Sequence, residues 1–186
     1  ANTVTSTEDL NVVTPITTFP YAESFETGLG KWTQLKDDDI DWTRQRGATP
    51  SSDTGPLWAA DGNFYMYTKA SSNLHKKAVL ASALFQANAV NNPWFSFKYH
   101  MYGSNMGSLA LEISSDGENW TTLWTKSGDQ GNAWKSDEVS LVNYQSTPFV
   151  LRFVSIVGNG FRSDIGIDNL QLFAKPSITS FTPATG

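Results

Sequence analysis

Apolar residues in this chain recur at every second position over short runs, and turn-forming residues separate those runs. The clearest run places Phe95, Phe97, Tyr99 and Met101 on one phase and Ser96, Lys98 and His100 on the other. Leu109, Leu111 and Ile113 alternate likewise, and so do Phe149, Leu151 and Phe153. Side chains of a strand point to opposite faces in turn, so a period of two predicts strands with one buried face. Asp116-Gly117 lies between Ile113 and the apolar run at 120–124, which predicts a hairpin. No segment carries a persuasive apolar stripe at 3.6-residue spacing; residues 74–85 are ambiguous, and strand is predicted after Lys77. Repeated alternating runs from Tyr21 onward predict an all-β chain built as two packed antiparallel sheets.

One run breaks its own rhythm. Ile165 and Ile167 set one phase, Leu170 and Leu172 the opposite one, so the phase slips at Asp168-Asn169. Either a bulge lies there or Asp168 turns toward an apolar side. An inward carboxylate needs hydrogen-bond donors or a metal, because a bare buried charge is costly.

Composition narrows the picture. A chain of 186 residues suits one domain with a flank at each end, and seven Trp with eleven Phe supply a core. Residues 1–20 read as a linker in which the stretch at 10–13 adds an edge strand, residues 21–174 as the domain, and 175–186 as a further linker. Thirteen basic residues against eighteen acidic ones leave a net charge of −5. An acidic surface does not attract phosphate backbones or anionic headgroups, so nucleic acid is excluded as a partner. No apolar run approaches the roughly 20 residues that span a bilayer, so no membrane insertion is expected. With no Cys, disulfides play no part. The chain starts at Ala1 without an apolar signal segment, as a processed secretory protein or an excised fragment would.

Catalytic chemistry finds little support. His75 and His100 are the only histidines, and HExxH, P-loop and GxSxG patterns are absent. His75 lies beside Lys76 and Lys77 as a plain loop residue, and His100 shares the polar phase of its strand. No enzyme is expected. Asp37, Asp38, Asp39 and Asp41 crowd four carboxylates together, which repel unless solvated or gathered around a cation. Trp58, Trp94, Tyr102 and Trp120 fall at loop edges or on outward phases, where an exposed ring can stack on a sugar or anchor a protein contact; packing under loops is the plainer alternative. Arg44 and Arg152 lie in strand-like contexts and are expected to pair with acids across a sheet or rim. Asn119-Trp120-Thr121 is a formal glycosylation sequon.

Several motifs follow one another in a fixed order: FETGLGKW at 25–32, DWTRQRGATPSSDTGP at 41–56, GNFYMY at 62–67, FKYHMYG at 97–103, SGDQGNAW at 127–134 and DIGIDNL at 164–170. Together they resemble a MAM domain, the family named for meprin, neuropilin and receptor tyrosine phosphatase mu, from about Phe25 to Leu172. The resemblance implies a two-sheet antiparallel β-sandwich of jelly-roll type. It implies a secreted or cell-surface recognition module, noncatalytic, that assists a neighbouring domain of the same chain in engaging extracellular protein or polysaccharide. The alternatives are an adhesion or self-association domain and a carbohydrate-binding module. Animal members carry paired cysteines; their absence here points to a bacterial, cysteine-free member. Related sandwiches bring an acid near the first strand to one near the last, which implies a structural Ca²⁺ or Na⁺ at Glu26, Asp39 and Asp168, completed by backbone carbonyls. A solvated acidic loop is the alternative. Residues 175–186, KPSITSFTPATG, resemble the opening strand of an IPT/TIG domain or form an ordinary Pro/Ser/Thr tail.

Overall fold

Every alternating run named above is a strand in the computed structural model, which describes residues 14–176. The order is β1 (Tyr21–Glu23), β2 (Trp32–Gln34), β3 (Thr43–Arg46), β4 (Phe64–Thr68), β5 (Lys77–Ser82), β6 (Pro93–Met101), β7 (Ser108–Ser114), β8 (Thr121–Ser127), β9 (Lys135–Ser140), β10 (Val150–Ile156) and β11 (Ile165–Ala174). A short 3-10 turn at Val142–Tyr144 is the one helical element among the described residues. One sheet runs β3-β4-β11-β6-β9 with β1 also on β11; the other runs β2-β5-β10-β7-β8. All pairings between these strands are antiparallel. Two such sheets, packed face to face, make an all-β sandwich of jelly-roll type.

The core is aromatic, as the alternation requires. Phe95, Phe97, Tyr99 and Met101 of β6 turn inward with Leu109, Leu111 and Ile113 of β7 and with Leu151 and Phe153 of β10. Phe97 meets Phe153 at 5.2 Å and Trp124 at 4.9 Å, both edge to face, the geometry that ring quadrupoles prefer. Burying each such ring contributes about 1.5–3 kcal/mol. The ambiguous stretch resolves as predicted, with strand beginning at Lys77. Asp116-Gly117 closes the β7–β8 hairpin: Asp116 accepts from the Glu118 and Asn119 amides, and Gly117 takes φ +78.

The phase slip is a bulge. Pairing of β11 with β6 shifts register between Asp168 and Gln171, and Asn169 takes φ +49. The extra residue returns Leu170 and Leu172 to the buried side.

The segment read as an N-terminal linker is partly core. Ile16 is buried, bridges Phe85 in parallel and exchanges backbone bonds with Leu84 and Gln86. The edge strand expected at 10–13 and the IPT/TIG-like residues 177–186 lie outside the described residues.

Candidate functional site

The outer face of the six-stranded sheet carries an unusual row. Tyr67 of β4, Gly166 of β11 and His100 of β6 are register partners, so they stand side by side. Inward neighbours Met66, Ile165, Ile167, Tyr99 and Met101 fill the core, which leaves this row on the opposite face. Tyr67 and His100 are nevertheless buried, as is Tyr65 one step along β4. The cover is the 47–63 loop between β3 and β4, together with Trp134. A Cβ on Gly166 would meet the Trp134 ring at 3.1 Å and the Pro56 ring at 3.4 Å, so glycine lets both rings pack closely on the sheet. Trp134 stands edge-on to Tyr65 at 5.7 Å and to His100 at 5.5 Å. His100 was expected on a solvated phase; sealed beneath Trp134, it is 2% exposed, and burial lowers its pKa to about 4.

Two acidic residues fasten the loop, Asp168 by its carboxylate and Asp164 by its backbone amide. Asp168 accepts the amides of Ala60 and Asp61 on one oxygen and that of Asn169 on the other, at 2.7–2.9 Å. Asp164 donates its own amide to Thr54 Oγ1 at 2.9 Å and accepts the Ala70 amide at 2.8 Å. Thr54 Oγ1 then donates to the Tyr102 carbonyl at 2.8 Å, and Tyr65 Oη donates to the Gly47 carbonyl at 2.7 Å. Both acids are fully buried. Desolvation outweighs the amide bonds, pushing Asp168 up to about 6 and Asp164 above the ordinary carboxylate range.

The crest of the loop is open and partly apolar. Trp58 is 66% exposed and Leu57 55% exposed. The Trp58 backbone is fixed, since its carbonyl accepts from Trp134 Nε1 at 2.8 Å. Beside it lies a cavity of about 220 Å³ walled by Thr49, Ser51, Asp53, Thr54, Tyr102 and Asn132. Asp53 pairs with Arg162 at 3.2 Å, and the Arg162 guanidinium lies 4.8 Å from the half-exposed Phe161 ring. A larger hollow of about 500 Å³ between Phe19, Val90 and Phe173 offers Asn91 as its single polar side chain. It therefore lacks the converging polar groups of a selective site.

The four aromatic candidates divide two and two. Trp58 stands exposed on the crest, and Tyr102 lines the cavity that Leu57 also lines. Trp94 lies at the far end of β6, roughly 23 Å from Met101 at strand rise, under the Lys175 ammonium at 3.9 Å. Trp120 lies under the Arg152 guanidinium at 3.8 Å. Each of these two rings already holds a cation of its own chain.

The three acids read as a cation site are separated. Glu26 and Asp168 serve the same loop: Glu26 Oε1 accepts the amides of Asn63 and Phe64, which hold its carboxyl below the usual range. Asp39 instead exchanges two backbone-directed bonds with Lys77 of the other sheet. Among the described residues no three His, Cys, Asp or Glu side chains are grouped to hold a metal. The residues present fit a three-acid cage poorly, because Asp39 is tied to the other sheet and both Asp168 oxygens already accept backbone N–H groups. Arg152 pairs with Glu112 at 2.7 Å as expected. Arg44 does not find an acid: its guanidinium donates to the carbonyls of Phe25 and Glu26 at 2.6 Å and covers the Phe64 ring at 3.4 Å.

The family model of the MAM domain, meprin/A5/mu, matches residues 24–177. The chain belongs to the MAM family. MAM domain-containing glycosylphosphatidylinositol anchor protein 1 of Rattus norvegicus is 36% identical over 152 residues, covering 76% of this chain and 16% of that protein. This MAM domain thus spans about one sixth of the length of such relatives. Two solved structures share its fold. The K1 cleaved adhesin domain of Lys-gingipain from Porphyromonas gingivalis has a TM-score of 0.63 at 18% identity, covering 86% of this chain and all of that one. A xylan-binding domain from CBM 22 has a TM-score of 0.54 at 16% identity, covering 83% and 93%.

The MAM motif at 41–56 includes most of the covering loop, and the motif at 127–134 supplies Trp134. Sequence reasoning named these motifs but missed Asp164, the residue that ties the loop to the sheet end. Its signal was available: alternation from Ile165 and Ile167 places Asp164 and Gly166 on the outer phase together.

Proposed function

We propose that this MAM domain is a noncatalytic extracellular recognition module of a larger secreted or surface protein, meeting its partner at the crest of the 47–63 loop. Trp58 carries the proposal: a large aromatic side chain is held out to solvent on a backbone pinned from below. With the backbone already held, only the side-chain torsions remain to be ordered on contact, which lowers the cost of using the ring as an anchor. A binding role without turnover is supported by the groups that might otherwise move protons. His100 is buried and neutral, Asp168 is committed to the amides of Ala60, Asp61 and Asn169, and Asp164 is sealed from solvent with one oxygen on the Ala70 amide. Surface location is supported by the anchor protein named among the relatives. The shared fold with an adhesin domain and a xylan-binding domain is compatible with extracellular protein or polysaccharide as the partner.

The experiment is to probe immobilised glycans and extracellular matrix proteins with the wild type and with Trp58→Ala, and to assay the fluid phase for released product. Retention without product, weakened in Trp58→Ala, is the expected result. Product release would overturn the noncatalytic role, and retention unaffected by Trp58→Ala would move the binding face elsewhere. Self-association is the second possibility, favoured by the exposed apolar side chains of Leu57 and Phe161. Sedimentation at rising concentration separates it from partner binding.

A further inference from the structure

We infer that the cavity beside Trp58 is a binding pocket for a single neutral sugar residue at the end of a glycan chain. The inference rests on the crest being the contact face, and it assigns the chemistry of what sits there.

The wall explains the class of ligand. Thr49, Ser51, Ser52, Thr54, Tyr102 and Asn132 line it, and of these the Thr54 hydroxyl is already taken by the Tyr102 carbonyl and the Asp164 amide. The only charged group lining it, Asp53, is paired with Arg162. Such a wall is polar and carries no uncompensated charge, which suits a neutral polyhydroxylated ligand and not a phosphate, a sulfate or a basic peptide. Behind the wall lies Asp164, fully buried, with Oδ2 lacking a hydrogen-bond partner. Thr49 and Ser51 stand close enough to favour its charged form, but each makes its bond elsewhere, Thr49 to the Thr54 carbonyl and Ser51 with Ser71. Buried acceptors are rarely left unpaired. At the mouth, Leu57 lines the cavity and Trp58 follows it, exposed. An aromatic face of that kind packs against the apolar face of a pyranose.

The size explains why a chain end is bound. Pockets for drug-sized ligands span about 300–1,000 Å³, and this one is about 220 Å³. Its lining includes the buried Thr49 and Thr54, and Pro56 and Trp134 cover the adjoining sheet face over Gly166. One ring fits; a run of several does not.

The test uses a glycan array that presents neutral and charged chain ends, followed by titration of the intact domain with the best polymer, whole and partially hydrolysed at equal mass. Binding to neutral ends is expected, with capacity rising as hydrolysis multiplies ends and with competition by the free terminal monosaccharide. Trp58→Ala and Asn132→Ala, both at exposed positions, are expected to weaken it by about tenfold or more each, one hot-spot contact being worth that much. Binding that ignores the number of ends, or that survives both substitutions, overturns the pocket. An array with no sugar bound overturns it too. If matrix proteins are then retained through Trp58, the recognition module stands without its sugar pocket.

Discussion

Asp168 shows how one residue can be costly and still hold a structure together. Three amides converge on it, yet its pKa is raised from 3.8 to about 6 by burial. The folded state therefore binds a proton more tightly than the unfolded chain between those two values. Stability contributed by this group is greatest below the unfolded pKa and declines as pH rises toward about 6. In Asp168→Asn that decline is expected to vanish while overall stability falls, since an amide cannot accept all three N–H groups. Melting curves of both proteins from pH 4 to pH 7 check this; parallel pH profiles would contradict it. The same residue bears on the cation. With Asp39 tied to Lys77 of the other sheet and both Asp168 oxygens facing amides, calcium and EDTA are each expected to leave Tm essentially unchanged. A Tm that rises with calcium or sodium would return an ion to the Glu26–Asp168 pair. None of this separation was legible in the sequence. The spacing of acids shows which carboxylates are near in the chain, and pairing of strands decides which are near in space.

At the scale of elements, what alternates was readable and what covers was not. A period of two needs only the local side-chain pattern, so β6, β7, β10 and the bulge in β11 follow from the sequence directly. His100 obeyed its phase and still ended buried, because a loop of Gly, Pro, Ser and Thr folded back over the sheet. Loop paths depend on contacts distant in the chain, here Thr54 with Asp164 and Tyr102. Thr54→Val keeps the shape and removes both bonds, leaving the Asp164 amide buried and unpaired. It is expected to cost about 1–3 kcal/mol and to speed hydrogen exchange across 48–58 while β6 and β10 stay protected. Urea unfolding and exchange mapping read the two effects; a loop unaltered in exchange would show that other contacts hold it. Trp94 and Trp120 failed as exposed platforms for a related reason. Lys175 and Arg152, far from them in sequence, lie over their rings.

As a whole molecule the chain is a MAM sandwich that gathers its open chemistry at one loop crest. Its acidic net charge and neutral pocket wall favour contacts made by shape, rings and hydroxyls over contacts made by charge. The sealed outer sheet face turns the 47–63 loop into the presenting surface, and Trp58 is its most exposed aromatic. Trp94 is a built-in comparison, a second tryptophan of the same domain on the same sheet but away from the crest. The decisive measurement is the affinity of wild type, Trp58→Ala and Trp94→Ala for one captured glycan or protein partner. A loss of about tenfold or more in Trp58→Ala, with Trp94→Ala unchanged, is the predicted result. Equal losses in both, or a loss in Trp94→Ala alone, would contradict binding at the crest.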